Sequence, residues 1–144
     1  MPTPTPEEQR ALVAAARVAR LATLRADGTP RLVPITFVLL DGLVCSAVDE
    51  VKPKRSTRLA RLDDLRRDPR AAVLVDHYAE DWTQLWWVRI DGEAAVHEAG
   101  ERADRARAAL AAKYPQYAAD PPGGPVVVLT PQRWAGWRGG APPL

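Results

Sequence analysis

The sequence predicts an α+β chain built on an antiparallel β-barrel, and three observations carry that expectation. Short apolar stretches rich in β-branched residues recur at 18–25, 30–39, 43–48, 71–78, 85–97 and 126–130. Turn pairs, Asp27-Gly28 and Asp41-Gly42, separate the first three of them, as antiparallel neighbours require. Helical periodicity is confined to three segments, so strands and helices do not alternate as in a doubly wound parallel sheet. No G-x-G-x-x-G is present either.

The elements follow in chain order. Thr5-Pro6-Glu7-Glu8 reads as a helix start: Thr5 as N-cap, Pro6 at the tolerated first position, Glu8 closing a capping box. Leu12, Val13 and Ala16 share a face, so the helix is expected over about residues 6–17. Three strands follow at 18–25, 30–39 and 43–48, expected as an antiparallel meander. Pro34 has no amide proton and belongs at an edge or a bulge.

Residues 49–54 read as a loop. Leu59, Leu62 and Leu65 then mark a surface helix over 55–67, ended by Pro69. A strand at 71–78 leads to a long strand or strand pair at 85–97, with Asp91-Gly92 as a bulge or tight bend. Residues 100–113 are alanine-rich and helical. Residues 115–125 read as irregular, 126–130 as the sixth strand, and 134–137 as a short last one. The whole chain, 1–144, is expected to be a single domain.

Composition narrows the chemistry. Cys45 is the one cysteine, so no internal disulfide can form, which fits a cytoplasmic location. No apolar run approaches the roughly 20 residues of a membrane helix. A net charge of +2 gives no argument for nucleic acid. His77, His97 and Cys45 lack any metal-ligand spacing, and no G-x-S-x-G marks a hydrolase nucleophile. With acid–base and nucleophilic groups this sparse, any reaction calls for a borrowed cofactor, and no catalytic side chain can be named.

Two features suit an anionic, ring-bearing ligand. The segment 49–58 carries Lys52, Lys54, Arg55 and Arg58 beside Ser56 and Thr57, where a strand gives way to a helix. Such a segment can hold a phosphate, and it reads equally as a solvated basic turn. Five tryptophans are many for this length. Trp86 and Trp87 are adjacent in a strand and must face opposite ways. One side fills the barrel. The other calls for a second subunit or a flat ligand, or simply packs. Trp82, in the preceding loop, is a further candidate for covering a ligand.

The stretches RLATLRADGTPRLVPITFVLLDGLVCSAV, KPKRSTRLARLDDLRRDPRAAVLVD and WTQLWWVRIDGEAAV resemble the pyridoxamine 5′-phosphate oxidase-like split barrels, over about residues 15–138. Ala22, Thr23, Asp27, Gly28, Pro30 and Pro34 carry the superfamily pattern. The K-P-K-R and L-W-W-V-R segments are more similar to an actinobacterial branch that uses coenzyme F420.

The resemblance implies a six-stranded split barrel, a homodimer, and two cofactors in grooves between the subunits. It implies that Lys52, Lys54 and Arg58 grip the phosphate, and that Pro34, Ile35, Thr36, Ser46 and Ala47 lie beside the ring and support it through backbone groups. Trp86 and Trp87, with Trp82, would close the groove from the partner. It makes an F420-dependent oxidoreductase acting on a small electron-poor substrate the first expectation. The alternatives are FMN in the same place, or a protein that only binds F420, FMN or haem. The arginine–histidine motif that true pyridoxamine phosphate oxidases carry at the C-terminus is absent here, where the chain ends in Trp134-Ala135-Gly136-Trp137-Arg138 and a short tail. That argues against oxidation of vitamin B6.

Overall fold

The computed structural model describes residues 3–48 and 56–140, with residues 56–59 described by backbone alone. Helix α1 (Pro6–Ala15) opens on the expected capping box: the Thr5 hydroxyl accepts from the Glu8 amide at 3.1 Å, and the Glu8 carboxylate accepts from the Thr5 amide at 2.8 Å. Strands β1 (Ala19–Leu24), β2 (Pro30–Ile35), β3 (Val38–Leu40) and β4 (Leu43–Ala47) follow. Then come α2 (Ser56–Arg67), β5 (Arg70–His77), β6 (Trp86–His97), α3 (Glu101–Lys113), the short α4 (Pro115–Ala119) and β7 (Val126–Arg138). The two Gly turns are as expected: Gly28 and the Asp41-Gly42 pair all take positive φ, which suits tight hairpins.

All seven strands form one antiparallel sheet in the order β2-β1-β5-β6-β7-β4-β3. This corrects the three-stranded meander. β1 does pair with β2, but residues 30–39 are two strands, β2 and β3, at opposite edges of the sheet. Only Thr36 and Phe37 join them. From Ile35 to Val38 the chain can span at most about 11 Å. Seven strands laid flat would put those edges about 29 Å apart. The sheet must therefore curl until its edges nearly meet, and the result is a split barrel of seven strands rather than six.

Two further expectations are corrected. Residues 126–130 and 134–137 are one continuous strand, because β7 pairs with β6 along its whole length. Pro131, which reads as a strand end, lies opposite Gly92 at the bulge between Asp91 and Gly92, where a missing donor is tolerated. The stretch 115–125, expected as irregular, includes α4.

The interior is filled by inward-facing residues of every long strand. Leu21, Ile35, Phe37, Val73, Val75, Val88, Ile90 and Leu129 are all at most 6% exposed. Val13 of α1 and Leu62 and Leu65 of α2 close onto this same cluster. A second, smaller layer lies outside the barrel, where Ala103, Ala106 and Leu110 of α3 pack on Cys45, Ala47, Val126 and Val128. Alanines on α3 let the helix approach the sheet closely.

A buried ion cluster fixes α2. Asp64 is 2% exposed and accepts from Thr23 Oγ1 at 2.8 Å, Arg31 Nε at 2.7 Å and Arg67 at 3.0 Å. Burial works against its charge, but these bonds win and hold its pKa below the ordinary carboxylate value.

Candidate functional site

The outer face of β1, β5, β6 and β7 is unusually apolar. Strand alternation sends Leu21, Val73, Val88 and Ile90 inward, which leaves Ala22, Leu74, Ala72 and Trp87 pointing out. Leu32 of edge strand β2 joins them at 67% exposure, with Tyr78 and Trp82 exposed nearby. Ala22, Leu32, Ala72, Leu74 and Tyr78 line an open groove of about 580 Å³, walled by Trp86, Trp87, Trp137, Leu85 and His77, while Trp82 is not part of that lining. Charged groups frame it. Arg20 pairs with Asp76 at 3.3 Å, and Arg89 lies over the Trp87 ring at 5.8 Å while reaching Asp91 at 3.3 Å. His77 stacks on Trp86, with ring centroids 6.4 Å apart.

One polar atom in this groove is unsatisfied. The indole Nε1 of Trp137 is buried and has no acceptor among the described residues. Leaving such a donor unpaired costs about 1–3 kcal/mol.

A second polar centre sits at the crossover from β2 to β3. The Thr36 carbonyl accepts from Ser46 Oγ at 2.7 Å, and the Thr36 hydroxyl lies 3.1 Å from that of Tyr117. Tyr114 pins the next residue: its hydroxyl accepts from the Phe37 amide at 3.1 Å. The same hydroxyl lies 3.0 Å from the carbonyls of both Arg17 and Phe37. A phenol has one proton to give. Its proton goes to one of these two carbonyls, of which that of Phe37 also accepts from Lys113 Nζ at 2.9 Å. Burial pushes the Tyr114 hydroxyl above its ordinary pKa, so it stays protonated for this role.

The residues named from the sequence fall into three groups. Thr36 and Ser46 are brought together at the crossover. Ile35 and Ala47 flank them, yet their side chains are buried in the barrel core and under α3 respectively, so only their backbone is available to a ring. Pro34 pairs with Arg20 in the ladder and shares its outer face, on an edge strand as its missing amide proton demands. Trp86 and Trp87 do face opposite ways: Trp86 packs on the core while Trp87 lies outside opposite Trp137. Trp82 stands in a single 3₁₀ turn, 69% exposed. Lys52 and Lys54 lie outside the described residues, as does the side chain of Arg58, whose backbone belongs to α2.

Sequence reading did not pick out Arg20, Leu32, Leu74, Tyr114, Tyr117 or Lys113. A signal for the outer face was present: 71–75 (AAVLV) is apolar at every position, which in a strand means that neither face was built for water. The tyrosines and Lys113 carry no such signal, because their partners lie 76–97 residues away in the chain.

Comparison with known proteins gives the context for this geometry. A profile of the pyridoxamine 5′-phosphate oxidase family matches residues 5–138. No curated protein sequence matches. Among solved structures, a conserved hypothetical protein of Mycobacterium tuberculosis superposes with a TM-score of 0.77 at 22% identity, over 94% of this chain and 85% of its own. A haem-binding protein of Mycobacterium smegmatis gives 0.74 at 26% identity over 96% of this chain, which spans only 56% of that longer protein. An FAD-binding protein of the same organism gives 0.66 at 20% identity, over 96% and 98%. The curled antiparallel sheet is common ground with these structures, and the profile spans nearly the whole sequence. The chain therefore belongs to the pyridoxamine 5′-phosphate oxidase family of split-barrel proteins.

Proposed function

We propose that this chain is a cytoplasmic, single-domain, homodimeric oxidoreductase that uses coenzyme F420 to pass a hydride to a small electron-poor organic substrate. The observation that carries the reading is the apolar outer groove, with Trp87 and Trp137 as flat walls and the orphaned Trp137 N–H beside them. A planar ring system fits such a groove because it covers apolar surface against flat aromatic walls. The same face is far more apolar than a lone soluble subunit needs, which supports a second copy closing over it.

In this reading Lys52, Lys54 and Arg58 hold the coenzyme's anionic tail. Pro34, Ile35, Thr36, Ser46 and Ala47 border the ring through their backbone, and Trp82, Trp86 and Trp87 close the groove from the partner. When bound, the coenzyme supplies the hydride. The chain's own part is to orient the ring and keep water out. The long run of cations suits F420, whose tail bears a phosphodiester and glutamates, better than the single phosphate of FMN. Similarity to FAD-binding and haem-binding proteins supports two alternatives, a flavin (FMN) in the same groove or a binder without turnover.

Titrating the purified protein with F420, FMN and haem, with tryptophan fluorescence as readout, separates these. Quenching by F420 at tens of micromolar or below is the expected result. Quenching by FMN or haem alone would reassign the cofactor, and no response to any of the three would remove the reading.

A further inference from the structure

Two cations at the crossover have no counter-ion among the described residues. Lys113, the last residue of α3, is half-buried, and Arg17 lies just before β1. The Lys113 ammonium sits 4.0 Å above the Phe37 ring and 5.3 Å from the Tyr114 ring, whose other neighbour is the Arg17 guanidinium at 5.0 Å. Among the described residues neither cation forms an ion pair with a carboxylate. Of the three Lys113 protons, one is used, on the Phe37 carbonyl. Burial and the nearby Arg17 charge together push Lys113 down to about 8, and no acidic group offsets them. The other polar groups at this point are the hydroxyls of Tyr114, Tyr117 and Thr36.

Some partly buried cations elsewhere in the described residues are matched. Arg31, for example, has Asp64, and Arg107 has two backbone carbonyls and Asp104. A half-buried ammonium and an exposed guanidinium packed on one tyrosine ring, with spare donors and no carboxylate among the described residues, make an arrangement that an incoming anion completes.

We infer that Lys113 and Arg17 form a seat for an anionic oxygen group, a carboxylate or a phosphate, carried by the molecule that this protein acts on. Assigning that group to the hydride acceptor rests on the place proposed for Thr36 beside the ring, since Lys113 grips the residue next to it. The substrate is then an acidic one, held by its charge at the crossover with its reducible part toward Thr36.

Seating an anion favours the charged lysine, so binding near pH 8 draws a proton from solution, up to about half a proton per site. Affinity falls as the pH rises through 8 and Lys113 empties. The one charged group that enters this titration is Arg17, acting with burial, and Phe37 and Tyr114 are the rings packed on the ammonium.

The test uses benzoate and phenyl phosphate as anionic probes and benzamide as the neutral control, by calorimetry in two buffers of different ionisation enthalpy. At pH 8 the anions are expected to bind with proton uptake, and benzamide to bind at least tenfold more weakly. The better of the two anions names the group. Lys113→Met should weaken the anions about tenfold to a hundredfold and abolish uptake. Lys113→Arg should keep the binding but lose the uptake, and exposed Arg17→Gln, which is safe for folding, should weaken binding as well. Equal binding of benzamide, uptake that survives in Lys113→Met, or no anion binding to the wild type overturns the inference. The coenzyme titration stands apart from it. Anion binding without coenzyme quenching would keep this seat and remove the hydride-transfer reading, and the reverse would do the opposite.

Discussion

At the scale of single residues, Asp64 shows how a charge can be buried at a profit to the fold. It joins α2 to β1 through the Thr23 hydroxyl and to β2 through the Arg31 guanidinium, with Arg67 of α2 itself as a third donor. Asp64→Asn is expected to destabilise the protein by about 1–3 kcal/mol in urea unfolding at pH 7. Because the folded pKa lies below the ordinary 3.8, the carboxylate's contribution is complete above about pH 4 and fades as pH falls through the folded value. The gap between wild type and Asp64→Asn should therefore close in acid, and a gap that stays constant to pH 2 would contradict the assignment. Cys45 behaves in the opposite sense. It is 1% exposed, and burial pushes its thiol up to about 11, so almost no thiolate exists at pH 8. An alkylating reagent at pH 8 should label it only as fast as the protein unfolds, and stoichiometric labelling of the native state within minutes would contradict that burial. Both residues are visible in the sequence, but neither role is. An aspartate in the middle of a charged helix looks solvated until Thr23 and Arg31 are seen opposite it.

At the scale of elements, local chemistry and long-range packing divide the work. The capping box of α1 is wholly local, and Thr5→Ala should cost about 1 kcal/mol, seen as a lower denaturant midpoint. The bulge in β6 is half local. Asp91-Gly92 reads as a bend from sequence, but the need for glycine comes from β7: a Cβ on Gly92 would run into the Thr130 carbonyl. Gly92→Ala is expected to destabilise by about 1–3 kcal/mol in the same assay, and a neutral result would mean that β7 shifts freely. The split of 30–39 into two strands is not local at all. Nothing in Ile35-Thr36-Phe37-Val38 breaks a strand by propensity. It breaks because Phe37 is drawn fully into the core and its backbone is taken over by Tyr114 and Lys113, far along the chain.

At the scale of the whole molecule, curling the sheet brings its two edges together and leaves one outer face apolar. The proposed dimer closes over that face. Leu32 is 67% exposed in one subunit, so Leu32→Glu should leave the subunit folded while shifting sedimentation from dimer to monomer. A wild type that sediments as a monomer at tens of micromolar would remove the dimer. By itself the sequence determined the class, the extent of most elements, the capped helix start, the hairpin glycines, the edge position of Pro34 and the opposed tryptophans. These follow from a chain's own periodicity and from the φ preferences of a few residues, which act over short distances. Only the tertiary structure decided that the sheet has seven strands, that β2 and β3 part company, that Thr36 meets Ser46 and Tyr117, and that Lys113 and Arg17 pack on one tyrosine ring with no carboxylate partner among the described residues. Those outcomes depend on contacts between residues dozens of positions apart, whose burial and pairing no local pattern encodes.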